Sequence, residues 1–232
     1  MQYNYSMVTE LKNVEFEIIE TADPFAEFRD DIEQFWEEYC RNNPKAYSEK
    51  ILNVFGAKET EHGLKLQIGI ANYYEALYSK ITGNIKTRCL FSGAYIRTND
   101  GYYCLAVDMN NEINLIGGLA SLEDFKDGKY IPEICLIREC KEEMGIDITD
   151  EHFKYELKYL KNTSGSESYY PVGILYEINT CYSKSDLEDL FKNNAHDNEL
   201  TALKFVRADD CLELEIISRR KYIAELFDLI LR

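Results

Sequence analysis

The sequence predicts an α/β (α+β) protein, because two kinds of hydrophobic spacing alternate along it. Apolar residues at every second position, as from Leu64 to Ile70, belong to half-buried strands. Apolar residues three and four apart, as at Phe28, Ile32, Phe35, Trp36 and Tyr39, belong to one face of a helix. An Asp-Gly pair, Asp100-Gly101, joins two apolar runs as a β-hairpin turn does.

In chain order, Val14 to Ile19 reads as a strand, and Asp23-Pro24 opens a helix over Phe25 to Arg41 that Asn42-Asn43-Pro44 ends. Tyr47 to Ala57 is a mixed segment, Leu64 to Ile70 a strand, and Ala71 to Tyr78 a loop leading into a short helix. With a boundary near Gly83-Asn84, residues 1–85 form an N-terminal α/β extension packing on a main domain of residues 86–232. In that domain Arg88 to Ile96 and Tyr102 to Asp108 are the hairpin strands, and Gly117-Gly118 is a loop after the apolar run Asn114-Leu115-Ile116. Further strands run from Phe153 to Leu160, Tyr170 to Ile178 and Leu200 to Val206, with a polar loop at Asn162 to Ser168. Ser183 caps a helix reaching Lys192. A last helix from Ser218 carries Tyr222, Ile223, Leu226, Phe227 and Ile230 at helical spacing and should dock on the sheet.

Composition narrows the function. The chain of 232 residues is 45% hydrophobic and 29% charged, which is enough to bury a substantial core. It holds no apolar run of the roughly 18 to 20 residues a membrane span needs, and no signal peptide at its start, so a cytoplasmic protein is expected. Seven scattered cysteines without a C-x-x-C fit reduced thiols rather than a disulfide framework. A net charge of −16 argues against nucleic-acid partners, which require a basic surface. A phosphorylated small molecule stays compatible with that charge if divalent ions bridge it to acidic residues. The oligomeric state stays open, a homodimer included.

The densest chemistry lies in Arg138-Glu139-Cys140-Lys141-Glu142-Glu143-Met144-Gly145-Ile146. On a helix Glu139, Glu142 and Glu143 share one face, with Ile137, Cys140 and Met144 on the opposite one. Three oxygen donors facing one way suit Mg²⁺ or Mn²⁺ rather than zinc or copper. Arg138, four residues before Glu142, can orient a carboxylate. Gly145 sits where a helix end favours a left-handed residue, and Pro132 where a helix starts. No Ser-His-Asp or Cys-His arrangement stands out; His196 could contact a substrate phosphate or simply be exposed in a polar loop, and His62 and His152 carry no ligand spacing.

This string resembles the helical half of the Nudix box, R-E-U-x-E-E-x-G-U, with Cys140 at the apolar U position. The resemblance implies the Nudix fold, a mixed β-sheet sandwiched between helices, and a metal-dependent pyrophosphohydrolase that splits a nucleoside diphosphate linked to a group X. It implies Glu139, Glu142 and Glu143 as metal ligands with the carbonyl of Gly117, and Arg138, Gly118 and Gly145 as support. It implies a base that is either a box glutamate, Glu139 or Glu142, or a later residue, for which Glu199 is the candidate and Glu167 its competitor. Two departures stand out. Gly118 to Arg138 spans 20 positions, six more than G-x5-E-x7-R allows, and Tyr130 stands eight before the arginine where that pattern has glutamate.

Trp36, Arg41, Asn43-Pro44 and Leu66 to Tyr73 are similar to the segment preceding the Nudix domain in eukaryotic UDP-glucose pyrophosphatases, with Ala71 in place of a threonine. That resemblance, over residues 36–77, implies a nucleotide-sugar substrate, with UMP and a sugar 1-phosphate as products, and Tyr73 or Tyr74 stacking on base or sugar. ADP-ribose is the alternative substrate. A non-catalytic nucleotide sensor is the alternative from outside enzymes.

Overall fold

The structure, a computed structural model, describes residues 8–20, 23–61, 63–84, 87–162, 171–194, 199–207 and 221–231. Its centre is a mixed eight-stranded sheet. The order is β1 (Val8–Glu10), β11 (Phe153–Lys161), β12 (Val172–Thr180), β5 (Leu90–Arg97), β6 (Tyr102–Asp108) and β13 (Leu200–Arg207). β7 (Ile113–Asn114) pairs with β6, and β8 (Ile116–Leu119) with β5. β12 and β5 run parallel while the other pairs are antiparallel.

Alternation along β5 gives the sheet its two cores. Leu90, Ala94 and Ile96 face α3 (Pro132–Met144), where Leu136, Cys140 and Met144 meet them, with Leu187 of α4 (Lys184–Asn194) beside. Tyr95 faces the other way, toward Tyr222, Ile223, Leu226 and Phe227 of the last helix, α5 (Lys221–Ile230). The sheet therefore lies between helices, and the apolar stripe read in the last segment is the one that docks. Residues 218–220 of that expected helix, residue 170 of the expected strand, and residues 163–168 of the polar loop lie outside the described residues.

The extension carries a second sheet, in the order β2 (Val14–Ile18), β4 (Gly63–Asn72) and β3 (Lys50–Thr60), with β2 parallel to β4. It also carries α1 (Arg29–Asn42) and α2 (Tyr73–Thr82). The mixed segment after Tyr47 is thus mostly strand. The loop expected ahead of α2 is absent. Asn72 ends β4 and begins the helix at once, its N–H donating to Glu75 Oε2 at 2.7 Å in a capping box. Glu75 is buried and also receives Arg29 Nη1 at 2.5 Å, which ties α1 to α2.

Backbone bonds join the extension to the main sheet: the Leu52 N–H donates to Ala120 O at 2.9 Å and the Val54 N–H to Arg88 O at 2.8 Å. Leu52, Val54, Leu66 and Ile68 of β3 and β4 lie in one core with Leu90 and Ile116. β1, from the chain's beginning, pairs with β11, Val8 opposite Lys161.

Two features near α3 differ from the sequence expectation. Gly117-Gly118 is not a loop but part of β8, opposite Gly93 and Ser92. The six extra residues form a hairpin, β9 (Phe125–Lys126) and β10 (Lys129–Tyr130). Its two-residue turn holds Asp127 and Gly128 at φ 52° and 76°, the primed geometry that matches strand twist.

Candidate active site

α3 starts with Pro132 at its first turn and ends at Gly145, φ 68°, whose N–H reaches Lys141 O at 3.1 Å. A side chain there would meet Asn194 O at 2.1 Å, so the end of α4 also requires glycine. The buried residues of α3 include Cys135, Leu136, Cys140, Glu143 and Met144. This corrects the expected division of its faces: Ile137 is only half-buried, and Glu143 lies inside with Cys140 and Met144 rather than out with Glu142.

Burial of Glu143, 6% exposed, is compensated by the Gly117 N–H, which donates to its Oε2 at 2.8 Å. Gly117 has φ 140°, and a Cβ on it would fall 2.1 Å from Ser92 O. A Cβ on Gly118 would fall 2.4 Å from the Glu139 carboxyl, so that glycine leaves the space the carboxyl occupies.

Arg138 gathers the cluster. Its Nη1 donates to Glu139 Oε1 at 2.7 Å and to Glu142 Oε2 at 3.2 Å; its Nε donates to Asp124 Oδ1 at 3.2 Å. Nη2 donates to Asp124 Oδ2 at 3.4 Å and to Leu119 O at 3.2 Å. Burial works against the guanidinium charge, but Glu139 and Asp124 hold it above its ordinary value. Burial pushes Glu139 up to about 7, and the charges of Glu142 and Glu199 add to this while Arg138 opposes it. Glu142 is the outward member, its side chain 52% exposed.

Asp124 ends a single 3-10 turn, Leu122–Asp124, and is fully buried. Its Oδ2 also accepts the Ser121 N–H at 2.8 Å. Sequence reasoning missed it by counting back from Arg138 to Tyr130. Counting forward six from Gly118 lands on Asp124, and the hairpin follows it. Tyr130 is a packing residue, 4% exposed, its ring edge-on to Phe16 of the extension at 4.8 Å.

The extension supplies a second residue that had no sequence signal, Glu49. Partial burial raises its carboxyl, Arg138 counters this, and Glu123, Asp124 and Glu142 add to it, so Glu49 lies within electrostatic reach of the same cluster. The bridge between Ile51 and Ser121, two residues along, brings it there. Glu199 is exposed just ahead of β13 and close enough to Glu139 and Tyr73 to act on both electrostatically. Tyr73 is half-buried, and Tyr74 stacks on Trp36 at 5.7 Å. Glu167, His196 and His62 lie outside the described residues. His152 pairs with Asp150.

No protein-family model matches the sequence, and no curated protein does. Solved structures do match. Tm1382, a proposed Nudix hydrolase, aligns with a TM-score of 0.52 at 15% identity, over 78% of this chain and 100% of its own. The chain has the Nudix fold. The aligned share exceeds what residues 86–232 could supply, so the likeness reaches back into the extension. DR0079 from Deinococcus radiodurans aligns at 14% identity and TM-score 0.45, over 62% of this chain and 84% of its own. The Nudix domain of Shewanella oneidensis NrtR, solved with ADP-ribose, aligns at 14% and 0.43, over 69% and 99%.

A divalent cation at the α3 carboxylates would need oxygen donors that converge. Among the described residues no three His, Cys, Asp or Glu side chains stand together as a ready-made ligand set. Arg138 holds Glu139 and Glu142, and the Gly117 N–H holds Glu143. The chemistry nevertheless fits: the donors are all oxygen, Glu139 sits in surplus negative charge that a cation would relieve, and Gly118 leaves its carboxyl room.

Proposed function

We propose that this chain is a Nudix pyrophosphohydrolase dependent on Mg²⁺ or Mn²⁺, cleaving the diphosphate of a nucleoside diphosphate linked to X. The observation that carries the reading is the network in which Arg138 joins Asp124 to Glu139 and Glu142. That network gives Arg138 an acidic partner that a simple count misses, and its hold on Glu139 and Glu142 supports the box resemblance. Glu139, Glu142 and Glu143 are the residues that would hold the metal, with Gly117 beside them. The ion would neutralise phosphate oxygens and acidify a bound water. Glu199 is the proposed base, with Glu139 and Glu142 as the box alternatives; it is exposed and can take a proton from water. The overall negative charge disfavours nucleic acid, while the carboxylates on α3 can take a small phosphorylated substrate through bridging divalent ions.

The first-choice substrate is a nucleotide sugar, supported by the likeness of residues 36–77 to the segment preceding UDP-glucose pyrophosphatase domains; ADP-ribose is the second. The deciding experiment incubates the protein with nucleotide sugars, ADP-ribose, dinucleotides and nucleoside triphosphates plus Mg²⁺ or Mn²⁺, then reads phosphate released by an added phosphatase. Release from nucleotide sugars is expected. Release from ADP-ribose alone would remove the nucleotide-sugar choice. Inertness toward every substrate, with nucleotide still bound, would turn the reading into the sensor.

A further inference from the structure

We propose that Tyr47, Tyr39 and Tyr73, carried by the extension beside the acidic helix, form the wall on which the nucleobase of the substrate stacks. This rests on the reading above that the ligand is a nucleoside diphosphate derivative, and it assigns base recognition to the extension rather than to the Nudix box.

The wall is built from backbone outward. The Tyr73 N–H donates to Glu49 O at 3.0 Å and the Tyr74 N–H to Ser48 Oγ at 3.2 Å, so residues 48 and 49 are clamped to the start of α2. Tyr47 directly precedes this anchored pair, yet 73% of it is exposed. An aromatic ring so exposed is not core packing. On α1 and α2 Trp36 stacks between Tyr39, at 5.7 Å and 14°, and Tyr74, at 5.7 Å and 28°, which makes an ordered aromatic bank. Rings already ordered lose little side-chain freedom when a ligand arrives.

Continuity with the acidic helix fixes the occupant. Tyr39, Tyr47 and Glu199 all act on the Tyr73 hydroxyl, and Glu199 acts on Glu139 as well. Glu199 is thus within electrostatic reach both of the carboxylates, where a metal-bridged diphosphate belongs, and of the tyrosines, where the ring end of the same molecule would fall. Stacking on an aromatic face suits any base, and the hydroxyls can pair with its polar edge.

Trp36 is the sole tryptophan, so the bank reports on itself. The test titrates the full chain with UMP, AMP, ribose 5-phosphate and glucose 1-phosphate while following tryptophan emission, and repeats it with Tyr47→Ala and Tyr47→Phe. Saturable changes are expected with the two nucleotides and not with the sugar phosphates. Tyr47→Ala should weaken nucleotide binding about tenfold, and Tyr47→Phe, which keeps the ring, should stay within about twofold of the parent. In turnover assays Tyr47→Ala should raise KM more than it lowers kcat. Sugar phosphates that match the nucleotides, or a Tyr47→Ala chain with parental affinity and KM, would overturn the proposal while leaving hydrolysis intact. Nucleotide binding that depends on Tyr47 without any turnover would sustain the wall and remove the hydrolase.

Discussion

Among single residues, Glu142 and Glu139 separate two effects that the sequence had merged into one acidic face. Glu142 is outward, so Glu142→Gln should leave the fold and melting temperature unchanged while lowering kcat by about a hundredfold or more, roughly 3 kcal/mol of transition-state stabilisation. Parental turnover in that variant would clear Glu142 of any role. Glu139 is inward and holds its proton up to about 7, against an ordinary value of 4.5. The folded chain therefore binds that proton more tightly than the unfolded one, and in metal-free protein this group lowers stability as pH rises from 4.5 through about 7. Melts of EDTA-treated parent and Glu139→Gln across that range should show a decline in the parent that the variant lacks. Gly118→Ala should displace the Glu139 carboxyl and lower activity with little change in the melt, whereas Gly117→Ala meets backbone and should destabilise the chain outright.

In the elements around the site, the hairpin and the 3-10 turn that precedes it show how an insertion can be tolerated. The extra residues enter after Asp124, so the turn holding Asp124 and the helix holding Arg138 keep their contact. Asp124→Ala would leave the guanidinium without its buried partner and strip the Ser121 N–H as well. A loss of about 3 kcal/mol in urea unfolding is expected, with metal affinity reduced because Arg138 no longer holds Glu139 and Glu142 in place. An unchanged unfolding midpoint would mean that Arg138 is held by Leu119 and its own helix alone.

Across the whole molecule, no gap in the core marks the division near residue 85. Leu52, Val54, Leu66 and Ile68 share the core of Leu90 and Ile116, and Tyr130 packs on Phe16. A chain of residues 86–232 alone would expose that apolar surface and should be insoluble or molten, while the full chain should melt in one transition by calorimetry. A soluble, cooperatively folded fragment would show that residues 86–232 fold without the extension. No helix among the described residues is long and apolar enough to cross a membrane.

By itself the sequence determined most elements, because hydrophobic period and turn chemistry act over a few residues: α3 with its proline start and glycine end, the hairpin at Gly101, and the stripe on α5. It also put three glutamates on the last turns of α3, since their spacing on one helix is a local pattern. Tertiary structure alone decided what depends on distant pairing. A carboxylate's side of a helix is set by what packs there, so Glu143 turned inward to Gly117. Strand status is set by a partner, so Gly117-Gly118 became an edge of β5. Glu49 reaches the cluster only because β3 meets Ser121, a contact between residues 70 positions apart that no local spacing encodes.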